Sequence, residues 1–225
     1  MKVVISLGGS LLTQNFSVAG VKKYADVLKK IAAKTDKLVV IVGGGKVCRE
    51  YQKIARELKA SQDMQDYIGI KSTHFNASLV ASLLDDCVEV PNNEKELVSA
   101  LRKNNIVIGG GLKVGQSTDA VAAFAAKAIK ADLLVNASNI DGVYEADPRK
   151  KKGAKKIHRA TYAQLKTILS KNAQLPGQYG LFDLRAVETI TKSKIKTVFV
   201  DGTDAEEIYK AVFGKHNGTI VEEVK

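Results

Sequence analysis

The stretch Lys37–Lys46 reads KLVVIVGGGK: five consecutive aliphatic residues, then three glycines and a lysine. The aliphatic run does not alternate with polar residues, so both of its faces must be covered. A short strand of this kind belongs to a parallel sheet with helices on either side. The glycines that follow allow the backbone to turn closely, and a helical segment over Val47–Leu58 begins directly after them.

The same arrangement recurs on both sides. KVVISL (Lys2–Leu7) runs into Gly8-Gly9-Ser10, and NIVIG (Asn105–Gly109) runs into Gly110-Gly111. CVEV (Cys87–Val90), Leu133–Ala137, Ile195–Val200 and GTIVEE (Gly218–Glu223) read as further strands. Between them, apolar residues at Val21, Tyr24, Ala25, Leu28 and Ile31 fall at helical spacing within Val18–Ala33. Helices are also expected over Gln62–Leu84, Glu94–Leu101, Ala120–Lys130, from a cap at Thr161, over Phe182–Lys192 and in Asp204–Phe213. QLPGQYG (Gln174–Gly180) reads as a breaker-rich loop, and NIDGVYEADP (Asn139–Pro148) as a loop or hairpin. Strands alternate with helices throughout, without an internal repeat or a low-complexity linker. The chain therefore reads as one continuous α/β sandwich.

With 225 residues, 45% hydrophobic and 26% charged, the chain can bury a sizeable core and is not of disordered composition. Its longest apolar run is well short of the roughly 18–20 residues that span a bilayer. The N-terminus has no signal-peptide layout, so a cytoplasmic protein is expected. Cys48 and Cys87 are far apart and expected to stay reduced. The net charge of +11 (35 basic minus 24 acidic residues) favours anionic partners. Much of the excess lies in DPRKKKGAKKIHR (Asp147–Arg159), which reads as a solvated loop. Nucleic acid ranks low as a partner, because aromatics are 6%, Trp is absent and no nucleic-acid-binding module is recognisable.

In an open parallel sheet, ligands bind beyond the carboxyl ends of the strands. Three glycine clusters on that one edge point to an anion, since glycine lets backbone N–H groups approach it and a helix N-terminus adds partial positive charge. Neither the P-loop pattern nor G-x-G-x-x-G is present. Phosphoryl transfer by such a site requires positioning, cations and usually a metal. Lys46 follows the glycines and can aim its ammonium at phosphate or stand in solvent. Arg49 lies one turn on. In Ser117-Thr118-Asp119, Asp119 either caps the helix or organises cations, with capping the better account in isolation. His74, His158 and His216 share no metal-ligand spacing, and no side-chain metal site is expected.

The glycine loops together with GGGKVCREY (Gly43–Tyr51), DYIGI (Asp66–Ile70), Asn76-Ala77, GQSTDAVAA (Gly115–Ala123), ADLLV (Ala131–Val135), NIDGVYEADP, FDLRAVETI (Phe182–Ile190) and HNGTIV (His216–Val221) resemble the amino acid kinase superfamily, most closely its archaeal UMP kinase branch. The resemblance covers essentially the whole chain. It implies a single three-layer αβα domain over residues 1–225 with a mainly parallel central sheet, its N-terminal part serving mainly the acceptor and its C-terminal part mainly ATP. It implies transfer of the γ-phosphate of Mg-ATP to UMP, and a homohexamer built as a trimer of dimers, with Mg²⁺ carried on the nucleotide phosphates.

By the same resemblance, Gly9 and Ser10 cradle the transferring phosphate, and Gly45 and Arg49 lie on the ATP side. Gly44 contacts UMP, Asp66 its ribose, and the loop Leu112, Lys113, Val114, Gly115, Gln116, Ser117 and Thr118 wraps it. Asp119 organises the catalytic cations, and Ser138, Asn139, Tyr144 and Asp147 line the ATP site. The chain departs from the superfamily at Ser6, where a lysine is usual, at Leu112-Lys113 in the acceptor loop, at His74, where archaeal relatives often have Arg, and at Ser138, a common Thr. The lost charge at Ser6 makes Lys46, with Mg²⁺, the expected substitute. Other readings are another small-molecule kinase of the superfamily, with acetylglutamate, carbamate or isopentenyl phosphate as acceptor, or a non-catalytic nucleotide sensor. A ribose-binding Asp66 argues against the first.

Overall fold

A computed structural model describes residues 1–14, 16–84, 90–149, 151–172 and 181–223. The expected strand CVEV falls largely outside the described residues, as does the loop QLPGQYG. In chain order the elements are β1 (Lys2–Leu7), α1 (Gly9–Thr13), α2 (Val18–Ala32), β2 (Lys37–Val42), α3 (Gly45–Glu57), α4 (Gln62–Ala81), α5 (Glu94–Lys103), β3 (Ile106–Gly109) and α6 (Thr118–Ile129). They continue with β4 (Leu133–Ser138), β5 (Val143–Tyr144), β6 (Lys156–Ile157), β7 (Arg159–Ala160), α7 (Tyr162–Asn172), α8 (Leu184–Ser193), β8 (Thr197–Asp201), α9 (Ala205–Phe213) and β9 (Thr219–Val221).

Seven strands form one sheet in the order β3-β2-β1-β4-β8-β9-β7, parallel except for the β8–β9 pair. NIDGVYEADP, read as a loop or hairpin, contains only β5, whose antiparallel partner β6 lies beyond that stretch. Two cores flank the sheet, fed by alternate residues of the same strands. Val4, Val39, Ile41, Val107 and Leu134 pack against Leu97, Val121, Leu165, Val187 and Ile190 on α5–α8. Ile5, Leu7, Val40, Val42, Ile108 and Val135 pack against Leu12, Leu28, Ile31, Ala77 and Ile208 from α1, α2, α4 and α9. This is the three-layer αβα sandwich, and it explains why the strands are unbroken aliphatic runs: neither face meets water. Each fully buried Val, Leu or Ile contributes about 1.5–3 kcal/mol.

The boundaries show which local rules operate. Thr161 caps α7 as anticipated: its hydroxyl accepts from the Gln164 amide at 3.1 Å while Gln164 Oε1 accepts from the Thr161 amide at 2.8 Å. At α6 the cap is Ser117, whose hydroxyl accepts from the Ala120 amide at 3.1 Å. Asp119 is thus inside the first turn and does not cap, contrary to the account favoured for it in isolation. Helix α3 begins two residues earlier than the Val47 start expected for it, at Gly45, and the short α1, which was not anticipated, opens at Gly9, so both start within the glycine clusters.

Candidate active site

Because β1, β2 and β3 are adjacent and parallel, their glycine clusters lie side by side at the carboxyl edge. The Gly43 amide donates to the Leu7 carbonyl at 2.9 Å, and the Gly8 amide to the Ala137 carbonyl at 2.8 Å. Gly9 sits directly on the second loop: a Cβ there would run into the Gly43 carbonyl and the Gly45 amide. Gly45 has φ +68°, a conformation that favours glycine. Thr13 locks the two loops together. Its hydroxyl donates to the Gly9 carbonyl at 3.0 Å and accepts from the Lys46 amide at 2.9 Å.

Helix α4 holds the second and third loops from the side. Asn76 Nδ2 donates to the carbonyls of Gly43 (2.8 Å) and Gly44 (3.1 Å). Thr73 Oγ1 accepts from the Gly111 amide at 2.7 Å, and His74 Nε2 lies 2.7 Å from the Gly111 carbonyl. Burial holds the His74 imidazole below its usual pKa, so it is neutral at pH 7 and serves the loop as a donor.

Asp119 stands at the meeting point of the sheet and α6. Ala122, Ala125 and Ala126 are fully buried, and their small side chains let α6 lie close to β1 and β4. Ser6 Oγ donates to Asp119 Oδ1 at 2.8 Å, and Asn136 Nδ2 donates to the same oxygen at 2.9 Å. Its pKa is raised from 3.8 to about 6, chiefly by burial of the carboxyl and also by nearby Asp183, with the hydrogen bonds from Ser6 and Asn136 opposing the rise.

A pocket of about 380 Å³ opens between α3, α4 and the loop after β3. Gly44, Asp66, Lys113, Gly115, Gln116, Ser117 and Thr118 line it, along with Cys48, Gln52, Gly69, Ile70, Thr73 and Gly111. Asp66 accepts from Gln62 Nε2 at 2.8 Å and from the Gly115 amide at 2.9 Å, while Arg185 Nη1 donates to the Gly115 carbonyl at 2.9 Å. Of the remaining loop residues, Leu112 packs against the core and Val114 is exposed. Among the described residues, Gln116 Oε1 is a buried oxygen with no hydrogen-bond partner, which leaves it available to a ligand donor.

On the other side of β1, the end of β4 lies beside Gly8, and the Ser138 carbonyl accepts from the Gly202 amide at 2.7 Å. Asn139 is exposed. Tyr144 donates its hydroxyl to Asp141 at 2.8 Å, and Lys156 donates to the other Asp141 oxygen at 2.9 Å. Asp147 is buried and grips Arg149 through the backbone amide (3.0 Å), Nε (3.0 Å) and Nη2 (3.1 Å). Of the expected cations, Arg49 reaches the first loop, donating to Ser10 Oγ at 3.3 Å. The Lys46 ammonium stands on the exposed side of α3, 3.7 Å from Glu50. Among the described residues, no group of three or more His, Cys, Asp or Glu is assembled to hold a metal ion.

Several participants were not singled out from the sequence. Thr13, Thr73 and Gln52 carry no motif signal, and Arg185 was not picked out within FDLRAVETI. Ser6 drew notice only as a missing cation, and Asn136 none. Both are polar residues inside aliphatic strands, and that was the available signal.

A glycine-lined strand edge on an αβα sandwich, with a pocket opening beside it, is the framework of a small-molecule kinase. The chain belongs to the amino acid kinase family, matching it over residues 1–201. It is 41% identical over 222 residues to a uridylate kinase of Archaeoglobus fulgidus, covering 98% of this chain and 100% of that one. It is 37% identical over 223 residues to a uridylate kinase of Methanobrevibacter smithii, covering 98% and 99%. The crystal structure of the uridylate kinase from Archaeoglobus fulgidus matches with TM-score 0.88 over 98% of this chain and 100% of that one. The UMP kinase of Ureaplasma parvum, at 20% identity and TM-score 0.81 over 99% of both chains, shares the fold.

Proposed function

We propose that this protein is a UMP kinase, transferring the γ-phosphate of ATP to UMP to give UDP and ADP. The observation that carries the acceptor is Asp66: its carboxylate lines the pocket and faces the loop after β3, where a ribose hydroxyl would exchange for the Gly115 amide. None of acetylglutamate, carbamate or isopentenyl phosphate carries the ribose hydroxyls that a carboxylate placed so would hold. Near-full-length identity to archaeal uridylate kinases supports the same acceptor.

In this reading, residues 1–225 act as one catalytic unit. UMP occupies the pocket against Gly44, Asp66 and the 112–118 loop. ATP lies over Ser138, Asn139, Tyr144 and Asp147, with Gly45 and Arg49 toward its phosphates. Gly9 and Ser10 hold the group in transit between the two. Asp119 fixes charge at that point, and Lys46 swings from Glu50 to the phosphates. The divalent cation of this reading arrives on the nucleotide phosphates, beside the Asp119 carboxylate and Ser10. Bound there as Mg²⁺, it would neutralise phosphate charge.

The exposed stripe Val47, Tyr51, Ile54 and Leu58 along α3, at 38–77% exposure, gives an apolar face that supports self-association, and we propose a homohexamer. Among the described residues no helix is long and apolar enough to cross a membrane, and a cytoplasmic location completes the proposal.

The test is ADP release with Mg-ATP and each of UMP, CMP, acetylglutamate, carbamate and isopentenyl phosphate. Turnover with UMP alone or far above the others is expected. Release with none of them would favour a nucleotide sensor.

A further inference from the structure

We propose that Ser6 and Asn136 are positioning residues that together hold the Asp119 carboxylate in its working orientation, in place of a first-strand cation. This deepens the kinase reading above and rests on it.

Four observations carry it. First, Ser6 and Asn136 are direct partners in the register between β1 and β4, on the same sheet face as Val4 and Leu134. They therefore present two donors side by side to the first turn of α6. Second, both are only 4% exposed within otherwise aliphatic strands. A sequence selected for packing alone would place apolar residues there, because buried polar groups are costly without partners.

Third, both donors converge on one oxygen, Asp119 Oδ1, at 2.8 and 2.9 Å. Among the described residues no hydrogen bond is made to Oδ2, which leaves that oxygen for the site. Fourth, Asn136 Oδ1 is buried with no partner. Turning the amide round would satisfy nothing, since it would set that oxygen against the carboxylate. The side chain thus tolerates an orphaned acceptor in order to aim its N–H₂ at Asp119, a compromise that marks a functional position.

The electrostatics agree with this arrangement. The charged group that acts on Asp119 is another acid, Asp183, at the cap of α8. Burial and Asp183 both favour the neutral carboxyl, and the two neutral donors are what oppose them.

The experiment compares the parent with Ser6→Ala, Ser6→Thr and Asn136→Leu. Steady-state kinetics with UMP and Mg-ATP are measured across pH 5–9, and the Asp119 carboxylate is titrated by ¹³C NMR in the unliganded protein. Ser6→Ala is expected to lower kcat about tenfold while KM for UMP stays within about twofold. It is also expected to move the NMR midpoint and the acid limb of kcat upward by about one pH unit, because losing a donor to the charged form raises the pKa. Ser6→Thr keeps the hydroxyl and is expected to restore all three quantities. Asn136→Leu is expected to act in the same direction as Ser6→Ala. Should Asn136→Leu fail to fold, the Ser6 pair decides alone. An unchanged midpoint together with kcat within twofold for Ser6→Ala overturns the proposal, as does failure of Ser6→Thr to restore the parent values. If the parent does not phosphorylate UMP, the acceptor assignment fails, while the NMR midpoint still judges the clamp.

Discussion

The carboxylate of Asp66 and the backbone amide of Gly115 are joined beside the pocket between α3 and α4, Oδ2 to N at 2.9 Å. Helix α4 thereby reaches the loop that leads into α6, and two charged side chains, Asp66 and Lys113, line the pocket. Asp66→Asn keeps the size and removes the acceptor charge. KM for UMP is expected to rise about tenfold, since a hydrogen bond to a charged group is worth about 1.5–3 kcal/mol. With kcat within about threefold, steady-state kinetics would mark a binding role; a fall in kcat at unchanged KM would reject it.

In the proposed kinase, Asp119 is expected to act on turnover and on stability with opposite signs. Its folded pKa of about 6 lies above the usual 3.8, so the folded state binds the proton more tightly than the unfolded chain. Stability is therefore lost as pH rises from about 4 through 6, and the charged form is the strained one above that. Asp119→Asn is expected to raise stability at pH 7.5 by about 1–3 kcal/mol, or several degrees in Tm. It is also expected to lower kcat at least about tenfold, because charge placement is most of this chemistry. In the parent, kcat should decline as pH falls through about 6. Calorimetry and a pH–rate profile check both signs.

The contact of Gly9 with Gly43 and Gly45 makes Gly9→Ala a structural test. Two backbones must part to admit the methyl, so a loss of at least about 2 kcal/mol and most of the activity is expected. Gly153→Ala is the control: φ is +84° but nothing lies within 4 Å of the added atom, so the cost should stay near 1 kcal/mol with activity intact. Urea unfolding of both variants separates close approach from backbone conformation alone.

Lys46 is exposed beside Glu50, yet its backbone is fixed by Thr13 at the junction of two glycine loops. Lys46→Ala is expected to slow ATP-dependent UDP formation well beyond twofold. A change within twofold, under about 0.4 kcal/mol in barrier, would assign the phosphate charge to Arg49 and the metal alone.

The sheet was legible because its signals are local. Unbroken aliphatic runs such as KLVVIV require cover on both faces, and glycines at three strand ends require an edge where backbones turn. Helix extents were less legible where glycine begins a helix: neither Gly9 nor Gly45 has a favourable propensity, and tertiary contact with the neighbouring loop sets the start. Of the residues lining the pocket, Gly44, Asp66, Lys113, Gly115, Gln116, Ser117 and Thr118 were singled out in the sequence. Cys48, Gln52 and Thr73 were not, since their place depends on how α3 and α4 lean together.

By itself, the sequence determined the layer order, the parallel strands and the three glycine turns on one edge, because hydrophobic period and glycine placement act within a few residues. What only the tertiary structure decided is the company Asp119 keeps. Ser6, Asn136 and Asp119 are 113 and 17 residues apart along the two hydrogen bonds. Strand register and the close packing of an alanine-rich helix bring them to one oxygen, and register is a property of paired strands that no single stretch of chain contains.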